Sequence, residues 1–342
     1  MNLSNLDEVM VGEQEYRLKQ ARELVLKSLI ENWGEAIGLP LQLREKLNKE
    51  CPLDIKGEII QSESGKDALK AVITLDDGLK IESVLMKHGQ DSADAEKRNT
   101  VCVSSQVGCT MGCAFCATGS MGFKRSLTKW EIIEQVIFFA RLLKKENQRV
   151  SNVVFMGMGE PFLNYDNVIA AIRILNDKGS LNIGARKISI STCGVIEGIR
   201  NLAQENLQVN LAISLHAPED ELRSKLMPIN IKYPLKEVLK EVDEYIRKTS
   251  RQVMFEYLLL KGINDSEEDA EKLAKLMKKP LYFVNLIVYN PTGKRGLEPS
   301  PSNNVKLFKN VLEKSGVEFS ERYRFGRDIK AACGQLASKN SF

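Results

Sequence analysis

Histidine is almost missing from this 342-residue chain, which holds only His88 and His216. That inventory nearly excludes a histidine-rich zinc site and any mechanism that needs several imidazoles. Nor is there an uninterrupted apolar run near the ~20 residues that a membrane-spanning helix needs. The opening residues, Met1-Asn2-Leu3-Ser4-Asn5, lack the basic start and apolar core of an export signal. A cytoplasmic location with no membrane partner is therefore expected. Internal repeats and low-complexity tracts are lacking too. The charge excess is small, +4 from 49 Lys and Arg against 45 Asp and Glu, and a total of that size neither shows nor excludes nucleic-acid binding. Local basic clusters exist at Lys124-Arg125, Arg247-Lys248 with Arg251, Lys294-Arg295, and Arg322, Arg324 and Arg327. Taken singly, each reads as a solvated surface.

What is present is an ordinary globular balance, 43% hydrophobic and 27% charged, in a chain long enough for one large α/β domain plus a small one. The seven cysteines are an odd number, which argues against a disulfide framework in a chain without an export signal. Three of them fall within eight residues, so metal binding or redox chemistry is the better explanation.

Residues 14–50 carry apolar positions at helical spacing, such as Leu24, Leu26, Leu29 and Ile30. The character then changes to short strand-like segments, Ala71–Leu75 and Ile81–Leu85, separated by the hairpin signal Asp76-Asp77-Gly78. A polar stretch from His88 to Asn99 follows, and a domain boundary is placed there, giving an N-terminal accessory domain at 1–90 and a core at 91–342. Strand-like segments recur in the core near 100–105, 150–157, 187–192, 208–215, 252–260 and 281–288. Amphipathic helical segments lie between them, for example at 129–145, 166–178 and 266–278. That alternation predicts a parallel α/β sheet, either a partial or full (β/α) barrel or a doubly wound sheet. In each of these, ligands gather at the carboxyl ends of the strands.

The chemistry centres on Gly108-Cys109-Thr110-Met111-Gly112-Cys113-Ala114-Phe115-Cys116, a C-x3-C-x2-C run. Three thiolates on one short loop can hold three irons of a [4Fe–4S] cluster and leave the fourth without a protein ligand. That vacancy lets the amino and carboxylate groups of S-adenosylmethionine (SAM) chelate iron, so that an electron can cleave the sulfonium. A zinc ribbon would want a second close cysteine pair, which is lacking. With Phe115 before the last cysteine, the loop resembles that of the radical SAM superfamily. Gly157-Met158-Gly159-Glu160-Pro161 follows the strand-like Val153–Met156. Its glycines would allow close backbone approach to a ligand, and Glu160 suits a cationic ammonium. Ser191, Ser214-Leu215-His216 and Asn290 end three further strands. Each alone reads as a cap or terminator, but they recur at successive strand ends.

Cys102 precedes the cluster loop, and Cys333 lies near the C-terminus among small residues that suit a mobile loop. Isolated cysteines are more often buried small hydrophobes than reactive thiols. Adenine chemistry offers a use for two of them. Ring carbons that bear hydrogen are poor nucleophiles, so ordinary SAM methylation fails there. A methyl group parked on a thiolate, turned into a radical and added to the ring would succeed. A second thiol would then release the product as a disulfide forms, and a base would remove the ring proton.

Four stretches together resemble the RlmN/Cfr family of radical SAM RNA adenine methyltransferases. They are Cys102 with Val-Ser-Ser-Gln-Val-Gly-Cys, the Gly157–Pro161 loop, Ser214-Leu215-His216-Ala217-Pro218, and Ala331-Ala332-Cys333-Gly334-Gln335-Leu336. The likeness runs from about residue 17 to 337. It implies a partial (β/α)6 TIM-like barrel carrying a small N-terminal helical and β accessory domain. It further implies Cys333 as the methyl carrier, Cys102 as the resolving cysteine and Glu82 as the proton acceptor. SAM-binding positions would be Gly159, Glu160, Ser191, Ser214, Leu215, His216 and Asn290, with Cys109, Cys113 and Cys116 on one cluster and two SAM used per turnover. Substrates of the family are an adenosine in the peptidyl-transferase region of 23S rRNA and, for RlmN-like members, one beside the tRNA anticodon. Pro161 resembles the C2-methylating side rather than the C8-methylating, Cfr-like side. A low-potential donor such as flavodoxin or ferredoxin, and a monomer, are expected. The chain departs from the family pattern in three places: a longer stretch between Glu82 and Cys102, Lys330 where an acidic residue is usual, and Cys193 where Ser or an aliphatic residue is commoner. Cys51 matches nothing and reads as structural. The rival from another class is a zinc-stabilised RNA-binding protein without catalysis.

Overall fold

Among the described residues, ten strands form one sheet in the order β1-β2-β3-β4-β7-β8-β9-β10-β11-β12, and a separate pair, β5 and β6, stands beside it. The structure is a computed structural model and describes residues 3–62, 67–89, 98–323, 325–326 and 328–337. The strands are β1 (Gly57–Gln61), β2 (Ala68–Thr74), β3 (Lys80–His88), β4 (Arg98–Cys102), β5 (Gln106–Gly108), β6 (Phe123–Ser126), β7 (Asn152–Phe155), β8 (Ile188–Thr192), β9 (Asn210–Ser214), β10 (Val253–Leu259), β11 (Tyr282–Val288) and β12 (Phe319–Glu321). From β4 through β7 to β12 every neighbouring pair is parallel. Successive strands are therefore neighbours, as in the wall of a barrel. The sheet order ends on β12 rather than returning to β4, so the wall stays open. The six strands expected from the sequence are all present. A seventh parallel strand, β12, has three half-buried or exposed residues, too few to leave a pattern.

The segment 14–50 is not one helical stretch. Two helices, Glu15–Leu26 and Leu41–Glu50, flank a 3₁₀ turn at Trp33–Glu35. Leu29 takes the left-handed conformation (φ 58°), and Asn32 caps the turn in a reciprocal capping box with Glu35. Trp33 is fully buried and donates to the Cys51 carbonyl at 2.7 Å, which gives Cys51 its structural surroundings. The hairpin at Asp76–Gly78 forms, with Ile73 opposite Ile81. β2 and β3 are buried on both faces, and β3 also pairs antiparallel with β4. The sheet therefore runs across the boundary placed at residue 90, which itself lies outside the described residues. One apolar core joins the N-terminal helices to the barrel wall.

The helix Lys129–Lys145 begins with a Thr128–Glu131 capping box and buries Trp130, Ile133, Val136, Ile137 and Ala140. Its buried Gln135 accepts from the Ser104 N–H at 2.8 Å and donates to the Ser104 carbonyl at 3.0 Å. This clamp fixes the chain leaving β4 just before the cysteine loop. A second, smaller apolar cluster of Met111, Cys113, Leu226, Met227, Leu258, Ile287 and Tyr289 packs around that loop at the barrel mouth.

Candidate active site

The loop bearing Cys109, Cys113 and Cys116 is closed at its base by the β5–β6 pair, with Gly108 and Phe123 in register. Gly108 has φ 78°, and a Cβ there would sit 1.9 Å from the Gly122 carbonyl oxygen, so only glycine allows this closure. The Cys109 N–H donates to that same carbonyl at 2.8 Å. All three thiols line one cavity. Burial pushes the Cys109 thiol up to about 12, with nearby Glu160, Cys113 and Cys116 adding to it. Cys116 is likewise raised by burial and Cys113, and hydrogen bonds from Gly119 and Thr118 oppose the rise. Donors aimed at a sulfur favour its thiolate. Among the described residues, no three His, Cys, Asp or Glu converge as a single metal ion would require. A [4Fe–4S] cluster takes each thiolate on a different iron, so its ligand set need not converge. The donor set fits that cluster.

The same cavity is lined by Gly159, Glu160, Ser191, Ser214, His216 and Cys333, which β7, β8, β9 and the C-terminal segment deliver from their ends. Glu160 caps the 3₁₀ turn Pro161–Asn164, accepting from Phe162 N–H at 3.1 Å and from Cys193 N–H at 2.7 Å. Burial raises its carboxyl, and those donors oppose the shift. Remaining lone pairs leave it able to accept from an ammonium. His216 accepts on Nδ1 from the Leu258 N–H at 3.1 Å. Burial, then Arg223, lowers its pKa to about 3. It is therefore neutral with its proton on Nε2.

Packing also demands the two glycines of the Gly157–Pro161 loop. A Cβ on Gly157 would lie 2.7 Å from the Val103 carbonyl, and one on Gly159 (φ 100°) would lie 2.6 Å from the Gln106 side chain. They allow the strand-end loops to pack on one another, and both glycines line the cavity that holds the three thiols. Leu215 is a fully buried core residue that lines neither cavity. Its N–H donates to the Glu256 carbonyl at 3.0 Å.

A second cavity abuts the first. Cys102 and Asn290 line it, while Cys333, Arg322, Met156, Ile287 and Leu336 line both. Cys333 thus stands on the shared wall, and its exposure is to these cavities. Cys102 is buried and pushed up to about 12 by burial and by neighbouring Cys333, with Arg322 opposing. Asn290 is buried, and among the described residues its Oδ1 has no hydrogen-bond partner, an open acceptor of the kind a polar cosubstrate would satisfy.

Glu82 reaches neither cavity wall. Its register still relates it to Cys102: Val84 pairs with Cys102, and Glu82 shares the Val84 face of β3. Its carboxylate lies 3.5 Å from Lys70 Nζ and accepts from Ala337 N–H at 2.9 Å. The segment read from sequence as a mobile loop is tied down at several points. Ser62 donates to Asp328 at 2.8 Å, Ala117 N–H to the Gly334 carbonyl at 2.8 Å, Thr118 to the Leu336 carbonyl at 2.6 Å and Gln335 to the Pro291 carbonyl at 2.9 Å. Lys330 takes the left-handed conformation there (φ 52°).

Three charged residues at the site escaped the sequence reading in these roles: Glu256 and Arg223 are buried, and Arg322, in sequence only part of a basic cluster, is half-buried. Glu256 on β10 pairs with Arg322 at 2.7 Å and accepts from Asn285 at 3.0 Å. Burial pushes its carboxyl up, with Arg322 opposing. Arg322 follows β12. Arg223 is fully buried and donates to the Leu215, Cys193 and Ser214 carbonyls and to Asn230, tying β8 to β9. A lone carboxylate in the apolar run Val253–Leu259 was the available signal for Glu256. The thiol of Cys193 hydrogen-bonds Cys113, which with burial raises it well above its usual range, so this departure from the family pattern sits beside the cysteine loop.

The sequence model of the radical SAM superfamily matches residues 103–275. The chain is 44% identical over 325 residues to "Probable dual-specificity RNA methyltransferase RlmN" of Dictyoglomus thermophilum, covering 95% of this chain and 91% of that one. It is 43% identical over 341 residues to the protein of the same name from Geobacillus thermodenitrificans, covering 99% and 92%. Among solved structures, the crystal structure of a radical SAM methyltransferase from Sphaerobacter thermophilus superimposes with a TM-score of 0.91 at 40% identity, covering 98% of this chain and 97% of that one. No helix among the described residues is long and apolar enough to cross a membrane.

Proposed function

The chain belongs to the radical SAM superfamily and, within it, to the RlmN family of RNA methyltransferases, and we propose that it methylates C2 of adenosine in 23S rRNA and in tRNA, with Cys333 carrying the methyl group. Family membership implies a [4Fe–4S] cluster and SAM. Cys109, Cys113 and Cys116 would hold the cluster, which when bound supplies the electron that cleaves the sulfonium. Gly159, Glu160, Ser191, Ser214, His216 and Asn290 would hold SAM, with Leu215 behind them in the core.

The observation that carries this reading is the position of Cys333 on the wall shared by both cavities. A carrier must meet the methyl donor on one side and the substrate base on the other. Cys333 needs its thiolate to accept a methyl group. Burial opposes ionisation, and the nearby Arg322 guanidinium favours it. After the carbon has joined the ring, Cys102 attacks the Cys333 sulfur. A sulfur–sulfur bond forms and the sulfur–carbon bond breaks, its electron pair passing to the carbon, which takes up a proton to become the methyl group; an external thiol must later reduce the disulfide. Glu82 would accept the ring proton. Losing the Ala337 N–H from its carboxylate would strengthen it as a base. We further infer a monomeric, cytoplasmic enzyme that uses two SAM per turnover and a low-potential donor such as flavodoxin or ferredoxin.

The test is to digest rRNA and tRNA from cells with and without the gene and to identify the methyladenosine isomer by mass spectrometry. Gene-dependent 2-methyladenosine is expected. The 8-methyl isomer would overturn the C2 assignment. Stoichiometric zinc without sulfide in anaerobically purified protein would overturn the enzyme reading.

A further inference from the structure

The second cavity encloses about 380 Å³, within the range of roughly 300–1,000 Å³ typical of small-molecule sites. Met86, Val154, Met156 and Ile287 give it apolar walls, and Cys102 and Cys333 lie on it as well. Three rings also line it, brought together from distant parts of the chain: His88 at the end of β3, and Tyr323 and Phe325 just beyond β12. His88 and Phe325 meet edge to face with centroids 4.5 Å apart at 65°, and Phe325 and Tyr323 do so at 4.7 Å and 68°.

We infer that His88, Phe325 and Tyr323 form a stacking platform at the mouth of the second cavity for an unpaired purine base of RNA, guiding it toward Cys102 and Cys333. The inference rests on the RNA methyltransferase reading and names the part of that site that receives the base. An enzyme that modifies a base carbon must take the base out of its stack. Single-stranded RNA is held chiefly by stacking on aromatic rings with cations nearby for phosphate. Tyr323 is 72% exposed, a large ring at the cavity's rim. His88 is held in place by a 3.2 Å hydrogen bond between Nε2 and Thr100 Oγ1, and burial and Arg98 keep it in the neutral form. Arg98 lines the same cavity and is exposed, which suits a phosphate contact. Arg322, by contrast, is committed to Glu256.

The test uses reconstituted holoenzyme and an RNA anticodon stem-loop carrying 2-aminopurine in place of the target adenine, whose fluorescence is quenched by stacking. Wild-type protein should quench it. Tyr323→Ala and Phe325→Leu should weaken binding roughly 5- to 150-fold, the loss expected from one base–aromatic stack. With unlabelled RNA the same variants should raise KM far more than they lower kcat, and Tyr323→Phe should restore wild-type binding. Iron and sulfide content equal to wild type shows that the variants are folded. Wild-type affinity and quenching in both Tyr323→Ala and Phe325→Leu would overturn the platform, as would a wild-type protein that binds without quenching. If wild-type protein quenches the probe but methylates no RNA, the platform stands and the methyltransferase reading falls.

Discussion

The Ala337 N–H donates to the Glu82 carboxylate at 2.9 Å, fastening the segment just after Cys333 to a strand of the N-terminal sheet. A residue assigned a proton-transfer role by family resemblance therefore also anchors the segment that follows Cys333. The Glu82→Gln variant separates the two roles, because the amide oxygen can still accept from Ala337 while the group can no longer take a proton. Cys333 should still acquire its methyl group, and RNA methylation should fall by about 10²- to 10⁴-fold. Mass spectrometry of the Cys333 peptide alongside nucleoside analysis reads both. Equal losses in the two would reduce Glu82 to an anchor.

Arg322 lines both cavities with Cys333, and its removal should make the two thiols less acidic. Its guanidinium favours ionisation at both Cys333 and Cys102. Arg322→Met should shift the pH profile of Cys333 alkylation by iodoacetamide to higher pH and slow it at neutral pH. The single variant also leaves Glu256 buried without its cation, a loss of about 3–5 kcal/mol. The double variant Arg322→Met with Glu256→Gln should recover most of that stability while keeping the shifted profile. An unmoved profile would remove Arg322 from thiol activation.

His216 makes acid stability a reporter of the barrel mouth. Its folded-state pKa is about 3, against an ordinary 6.5. Between those values the unfolded chain binds a proton that the folded chain refuses, so this group's contribution is complete above pH 6.5 and is lost as pH falls toward 3. The full shift corresponds to at most about 5 kcal/mol. His216→Gln should flatten the dependence of unfolding free energy on pH across that window and leave its slope above pH 7 unchanged. Denaturant titrations at stepped pH would show it, and parallel curves would contradict the buried neutral state.

The βα rhythm was legible because parallel strands buried on both faces leave continuous apolar runs, and β7 to β11 each fell within or beside an expected segment. The cysteine loop was legible because its ligands lie within eight residues. What escaped was chemistry between distant residues. Glu256 and Arg322 are 66 positions apart, and neither has a local pattern that names the other. Strand β12 was too short to announce itself, and the helical reading of 14–50 overlooked the turn signals at Asn32, Gly34 and Pro40. The two glycines of the Gly157–Pro161 loop showed a conformational demand in sequence but not its cause, which is packing on Val103 and Gln106.

The most direct test of the central claim, that Cys333 bonds covalently to the substrate carbon and Cys102 releases it, is mass spectrometry of Cys102→Ala after anaerobic reaction with SAM, reductant and RNA. A nucleotide attached to the Cys333 peptide through one carbon, with no free product, is predicted. Multiple turnovers yielding free 2-methyladenosine from that variant would contradict it.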